Sequence, residues 1–269
     1  MSTVRHPAVA GRFYPARPEV LMRDLQSYLV AAGEKIEATG CVVPHAGYMY
    51  SGHVAGAVYA RLALPERFIV LCPNHTGMGR PLAIMSEGAW ETPLGQVEID
   101  HELATELRHT LHSLSEDDDA HRAEHALEVQ LPFLQAQRRQ FTFVPIAVGV
   151  GSYEPLAELG EAIAQVAAMH EDKVLIIASS DMNHYESDAI TRVKDSKAIE
   201  PILKLDPRGL FDVVMNEEIS MCGYGPTVAM LTAAKLLGAE SAELIKYATS
   251  GDVSDDRDMV VGYAGVIVH

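Results

Sequence analysis

Residues 174–184 read VLIIASSDMNH, an apolar run that passes through a short polar loop into a histidine. The run shows no alternation of apolar and polar positions, which is the pattern of a strand buried on both faces. Two other segments are built the same way: CVVPH (41–45) ends at His45 and FIVLCPNH (68–75) at His75. Three such strands in one parallel sheet deliver their imidazoles to the carboxyl ends of the strands. That edge is where open α/β sheets bind ligands. Imidazole is also the commonest metal ligand and the usual acid/base at neutral pH.

The order of the neighbouring segments supports this fold. Residues 18–32 have helical periodicity. A strand over 39–44 leads through a Gly-rich loop into a helix from about Gly52 to Leu62. Strands follow at 67–72 and 81–86, then a helix over 100–114 with Asp100 as its N-cap. The amphipathic stretch 125–137 contains Pro132, which should kink it or open a new turn. Then come a strand (141–148), a helix (154–170) and the strand at 173–179. Two or three helices occupy 187–237, and strands at 242–250 and 259–268 close the chain. Strands alternating with helices predict a single-domain three-layer α/β/α sandwich, spanning 1–269, with a mostly parallel central sheet. No internal repeat or linker divides it.

With 48% hydrophobic residues, the chain can bury a sizeable core. Lys+Arg 21 against Asp+Glu 37 gives a net charge of −16, which disfavours nucleic acid and anionic membranes as partners. No stretch approaches the roughly 20 apolar residues of a membrane span, and the first residues lack a signal peptide's apolar core. The expected location is the cytoplasm. Three cysteines are too few for a disulfide framework.

The chemistry-bearing residues lie in the loops. PHAGYMYSGH (44–53) places Gly47, Gly52, Tyr48 and Tyr50 beside His45. Taken alone, His45 reads as a hydrogen-bonded histidine in a packed loop. In CPNHTGMGRP (72–81), Asn74 or Thr76 is placed to orient His75. In SSDMNHY (179–185), Asp181 precedes His184 by three residues, a spacing that shares one face of a helical turn. The pair can ligate together, or the aspartate can fix the histidine's tautomer. Together the three loops point to one shared site. In EHALEVQLPFL (124–134), His125 or Glu128 reads equally as a group supporting that site or as a solvated helix face. Cys41 and Cys72 sit inside apolar runs, as small core residues do. Cys222, in SMCGYGP (220–226), sits among polar residues and glycines. A thiolate beside imidazoles suits iron, copper or zinc. The CxxC, HExxH, GxGxxG, P-loop and GxSxG signatures are absent.

An ordered set of blocks resembles the MEMO family, whose bacterial and archaeal branch is called AmmeMemoRadiSam system protein B. The blocks are RHPAVAGRFYP (5–15), PHAGYMYSG (44–52), PNH (73–75), EHALEVQLPFL (124–134), SSDMNHY (179–185), MCGYGP (221–226), TSGDVS (249–254) and VGYAGV (261–266). The resemblance runs nearly end to end. It implies a fold similar to class III extradiol dioxygenases, which are ring-cleaving non-haem iron enzymes. It implies a metal held by His45, His75 and Cys222, with Fe(II) as the first expectation, copper next and zinc last. His184 and Asp181 would be the catalytic pair, and Phe13, Tyr48 and Tyr50 would line the cleft for substrate. The dioxygenases hold iron with two histidines and a carboxylate. A thiolate in the third place puts ring cleavage in question but leaves metal binding intact.

Two functions of different class follow. One is a mononuclear non-haem iron or copper redox enzyme in which His184 moves a proton. The other is a non-catalytic adaptor that binds a metal, a small molecule or a peptide and acts with radical-SAM and AMMECR1-type proteins. A zinc hydrolase using metal-bound water is a third reading.

Overall fold

A computed structural model describes residues 3–30 and 33–269. Its centre is four parallel strands in the spatial order Thr142–Val148, Arg67–Pro73, Val174–Ser179 and Gly40–Val43. The three histidine-ending runs are therefore adjacent neighbours in one parallel sheet. Every residue of Val174–Ser179 and of Gly40–Val43 is buried, as the unbroken apolar runs require. Antiparallel strands widen the sheet beyond this centre. Val260–Val268 pairs with Gly40–Val43, and Ala242–Thr249 pairs with its far side. At the opposite margin Gly95–Ile99 joins Thr142–Val148 and turns back as a hairpin through Ala89–Thr92.

Helices cover both faces. Tyr48–Arg61 packs on Gly40–Val43 and on the two C-terminal strands, with Pro18–Tyr28 and Leu131–Gln137 beside it. On the other face Tyr224–Leu236 packs on the three histidine-bearing strands, flanked by Tyr153–Ala167 and Pro207–Asn216. The three-layer sandwich read from the sequence is the architecture observed. Among the described residues no helix is long and apolar enough to cross a membrane.

Several boundaries differ from expectation for local reasons. The first helix ends at Tyr28, and residues 31 and 32 of its expected span lie outside the described residues. The second helix begins at Tyr48, four residues early, because the Tyr48 N–H donates to the Phe13 carbonyl and its hydroxyl to the Val129 carbonyl. Residues 125–137 are not one helix. A 3₁₀ turn, Glu128–Gln130, precedes the α-helix Leu131–Gln137, in which Pro132 occupies the first turn where its missing N–H costs nothing. Asp100 caps the His101–Thr110 helix through the Leu103 N–H, as predicted.

One buried acid ties the layers together beneath the site. Asp195, on the Asp188–Leu203 helix, has no exposure. Its carboxylate accepts from the Tyr247 hydroxyl at 2.6 Å and the Asn183 N–H at 2.8 Å. A side chain at Gly262 would collide with that carboxylate. Burial raises the Asp195 carboxyl to about 7, against the hydrogen bonds from Tyr247 and Asn183 that favour the anion. The unfolded chain releases this proton near the ordinary value of 3.8 and the folded chain near 7. Between those values the unfolded state binds fewer protons, so stability falls as pH rises. Asp195→Asn should therefore gain on the wild type by up to about 4 kcal/mol between roughly pH 4 and pH 7. Urea unfolding at both pH values measures this, and a pH-independent difference would refute it.

Candidate metal centre

His45, His75 and His184 leave the ends of their strands within one loop cluster, and the chain adds a fourth imidazole, His125. The His75 and His125 rings stack with centroids 4.8 Å apart and planes at 23°. His45 stands edge-on to both, at 5.2 Å from His75 and 5.5 Å from His125. One ring nitrogen from each of His45, His75 and His125 lies within 4.8 Å of the others, a spacing that can hold a metal ion.

Hydrogen-bond accounting sets the tautomers. The Ser179 hydroxyl donates its single proton to the Ala126 carbonyl at 2.6 Å and accepts from the Gln130 amide at 2.8 Å. Its 3.0 Å contact with His45 Nδ1 must then be a second acceptance, so Nδ1 carries the proton and Nε2 carries the lone pair. His75 Nδ1 lies 2.9 Å from Glu124 Oε1, and the Glu124 carboxylate also accepts the His75 and Ala126 N–H groups. His184 Nδ1 lies 2.8 Å from the Ser220 carbonyl, which can only accept. In each neutral ring the partner keeps the proton on Nδ1 and leaves Nε2 with its lone pair, as a metal ligand or a base requires.

The electrostatics agree with this arrangement. Glu124 has no exposure, and burial opposes its charge. The hydrogen bond and charge of His75 outweigh burial and hold the carboxyl down at about 2. Burial lowers the His75 pKa, and Glu124 more than offsets this to raise it. Burial, followed by the charges of His125 and His75, holds His45 well below the usual imidazole range. Burial likewise lowers His125, with Glu124 opposing. Three imidazoles packed this closely thus resist collecting protons together.

Cys222 enters from the turn before the Tyr224–Leu236 helix, with Sγ 3.2 Å from His45 Nε2. A side chain at Gly223 would run into Ser180 and the Ser179 carbonyl, so glycine lets this turn press against the strand end. Burial and then the Asp181 carboxylate push the thiol well above its ordinary value. A cavity of about 210 Å3 opens beside His75 and Cys222, floored by Gly149, Gly151 and Gly225.

Several roles read from spacing move to other residues. Residues 181–183 are extended rather than helical, so Asp181 does not share a face with His184. Asp181 Oδ1 instead accepts the His45 N–H at 2.7 Å, and Oδ2 lies 4.0 Å from His45 Nε2. His184 is oriented by Ser220, whose hydroxyl also accepts its N–H. Asn74 and Thr76 shape their own turn, and Glu124 orients His75. Tyr48 is buried between Tyr14 and Phe133 and is a packing residue rather than a cleft wall. Tyr50 packs against Val54 and Tyr263, and Phe13 lies against His125 at 4.6 Å. Glu128 stands apart from the imidazoles. It clamps the N-terminal segment, pairing with Arg5 and accepting from the Ala8 and Val9 N–H groups and the Tyr14 hydroxyl. Spacing did not reveal Glu124, Ser179 or Ser220. Each is recognisable only once the chain is folded.

Residues 5–267 match the family model described as Memo-like protein. The chain belongs to the Memo family. Its curated relatives include the MEMO1 family protein MK0963 of Methanopyrus kandleri, 45% identical over 98% of both chains. Another is a MEMO1 family protein of Methanosarcina mazei, 45% identical over 98% of this chain and 99% of the relative. The Memo fold extends to more distant proteins. The crystal structure of the uncharacterized Escherichia coli K12 protein JW3007 superposes with a TM-score of 0.52 at 14% identity, covering 86% of this chain and all of that one.

Two predictions follow from the hydrogen-bond assignments. In metal-free protein, long-range 1H–15N spectra should show the neutral rings of His45, His75 and His184 with their single proton on Nδ1. An Nε2–H pattern for any of them overturns its assignment. Arg5→Met should cost roughly 3–5 kcal/mol in chemical unfolding, because it strands the Glu128 charge in the interior, and a cost below about 1 kcal/mol would refute the clamp.

Proposed function

We propose that this Memo-family chain is a mononuclear metal protein whose ion is held by His45, His75 and Cys222 and which performs redox chemistry related to that of extradiol dioxygenases. The observation that carries this reading is a shortage of positive charge. Glu124 and Asp181 are buried on either side of the imidazoles, and neither forms an ion pair with Lys or Arg among the described residues. A divalent cation among the unprotonated Nε2 atoms supplies the missing charge. Two imidazoles with one thiolate can hold iron, copper or zinc, and the family resemblance puts Fe(II) first, copper next and zinc last.

When bound, the metal supplies Lewis acidity and, if iron or copper, a redox couple. The chain supplies the rest. Ser179 and Glu124 hold the His45 and His75 rings in the ligating tautomer. Asp181 fixes the His45 backbone. His184, half-buried and held at Nδ1 by Ser220, keeps Nε2 free to take a proton from a substrate and return it. The cavity beside His75 and Cys222 admits a small organic group.

One observation favours the adaptor reading. Exposed apolar side chains follow two of the site's histidines in the chain, with Met49 64% and Tyr185 70% exposed. A peptide partner, including a radical-SAM or AMMECR1-type protein, would meet these first.

Anaerobic purification followed by metal analysis tests the proposal. One iron or copper per chain is expected, with strong loss in His45→Ala, His75→Ala and Cys222→Ser. Unchanged metal content in all three variants defeats it. With metal loaded, oxygen uptake on a catechol and phenol panel that disappears in His184→Ala supports the enzyme. No uptake in either protein supports the adaptor.

A further inference from the structure

We infer that His125 is a metal ligand alongside His45, His75 and Cys222, making the donor set three imidazoles and one thiolate. This rests on the metal-binding reading above and extends it. The spacing already fits: one ring nitrogen of each of His45, His75 and His125 lies within 4.8 Å of the other two. A tetrahedral site with metal–nitrogen bonds of about 2.1 Å separates its donors by about 3.4 Å, a side-chain adjustment away.

The surroundings of His125 are those of a held ligand. Glu124 Oε1 faces both His75 Nδ1, at 2.9 Å, and His125 Nδ1, at 3.3 Å. One buried carboxylate oxygen therefore lies within 3.3 Å of Nδ1 on both stacked rings. Phe13 closes the other side of His125 at 4.6 Å. The backbone is fixed as well: the Ala126 N–H donates to Glu124 Oε1, and the His125 carbonyl accepts from Val129 N at the start of the 3₁₀ turn. His125 therefore sits on a rigid turn at the site. The four donors come from four separate segments, and Glu124 joins two of them.

The test uses full-length protein loaded with Co(II) under anaerobic conditions. X-ray absorption on the wild-type protein counts imidazoles without any variant, and three are expected. His125→Ala should reduce that count to two and weaken Co(II) binding at least about tenfold, while keeping the thiolate-to-cobalt charge-transfer band. Cys222→Ser should lose that band and keep three imidazoles. Two imidazoles in the wild type, or His125→Ala with unchanged affinity, overturns the inference and leaves the parent reading standing. A wild-type chain that binds no Co(II), Fe(II) or copper overturns both.

Discussion

The site is organised around one buried anion. Glu124 lies at zero exposure and, among the described residues, its carboxylate has no Lys or Arg partner, so its charge must be met by N–H groups. It draws the His75 main chain, the His75 ring and the Ala126 N–H onto itself. Loop 73–79 and turn 123–127 arise from distant parts of the chain, and this carboxylate locks them together. The rigidity needed for a ligand therefore comes from desolvation: releasing the His75 ring leaves the buried carboxylate short of a donor. The same logic recurs one layer down, where Arg5 and Glu128 fasten the N-terminal segment, and with it Phe13, over His125.

The parallel sheet explains why this arrangement is possible. Parallel strands end at one edge, so each loop leaving that edge starts from a fixed, fully buried anchor. Ser179 shows the benefit. As the last residue of its strand it has no exposure, and its hydroxyl reads three partners at once: Ala126, Gln130 and His45. Gln130 in turn accepts from the Tyr59 hydroxyl and donates to the Pro44 carbonyl. A fully satisfied polar chain thus runs from the core helix Tyr48–Arg61 to the His45 ring. Such a network is costly to leave half made, and so it specifies one ring orientation.

The features that depend on burial of whole strands were legible in the sequence. VLIIAS, CVV and FIVLC lack alternation because both faces are covered by helices, and that fixed the sheet's centre, its polarity and the meeting of His45, His75 and His184. Cys222 was legible by contrast, as the one cysteine outside an apolar run. What spacing could not give were contacts that depend on where loops turn. The three-residue interval from Asp181 to His184 implied a shared helical face, but the loop is extended because Met182 and Gly262 bond through their backbones. His125 and Glu128 looked equivalent on a helix. An irregular stretch at 123–125 before the 3₁₀ turn Glu128–Gln130 sends one to the imidazoles and the other to Arg5. Ser220 contributes a backbone carbonyl, an atom every residue possesses, so no side-chain pattern marks it.

On the proposed reading, recruitment of the Cys222 thiolate in place of a carboxylate also has a structural cause. Carboxylates are already present, but both are committed to other groups. Glu124 Oε1 is shared between His75 Nδ1 and Ala126 N, and its Oε2 takes the His75 N–H. Asp181 spends Oδ1 on the His45 N–H and is held by burial above the usual carboxylate range. On the proposed reading, Glu124 cannot turn toward an ion without abandoning the backbone it secures and Asp181 Oδ1 is likewise tied, so a further donor comes from the helix-leading turn at Cys222. That turn can approach because Gly223 has no side chain. A cation bound at the neutral thiol beside His45 Nε2 would lower its pKa, and the proton would pass to solvent as the metal–sulfur bond forms. The ion itself would thus create its last ligand, coupling metal entry to release of one proton.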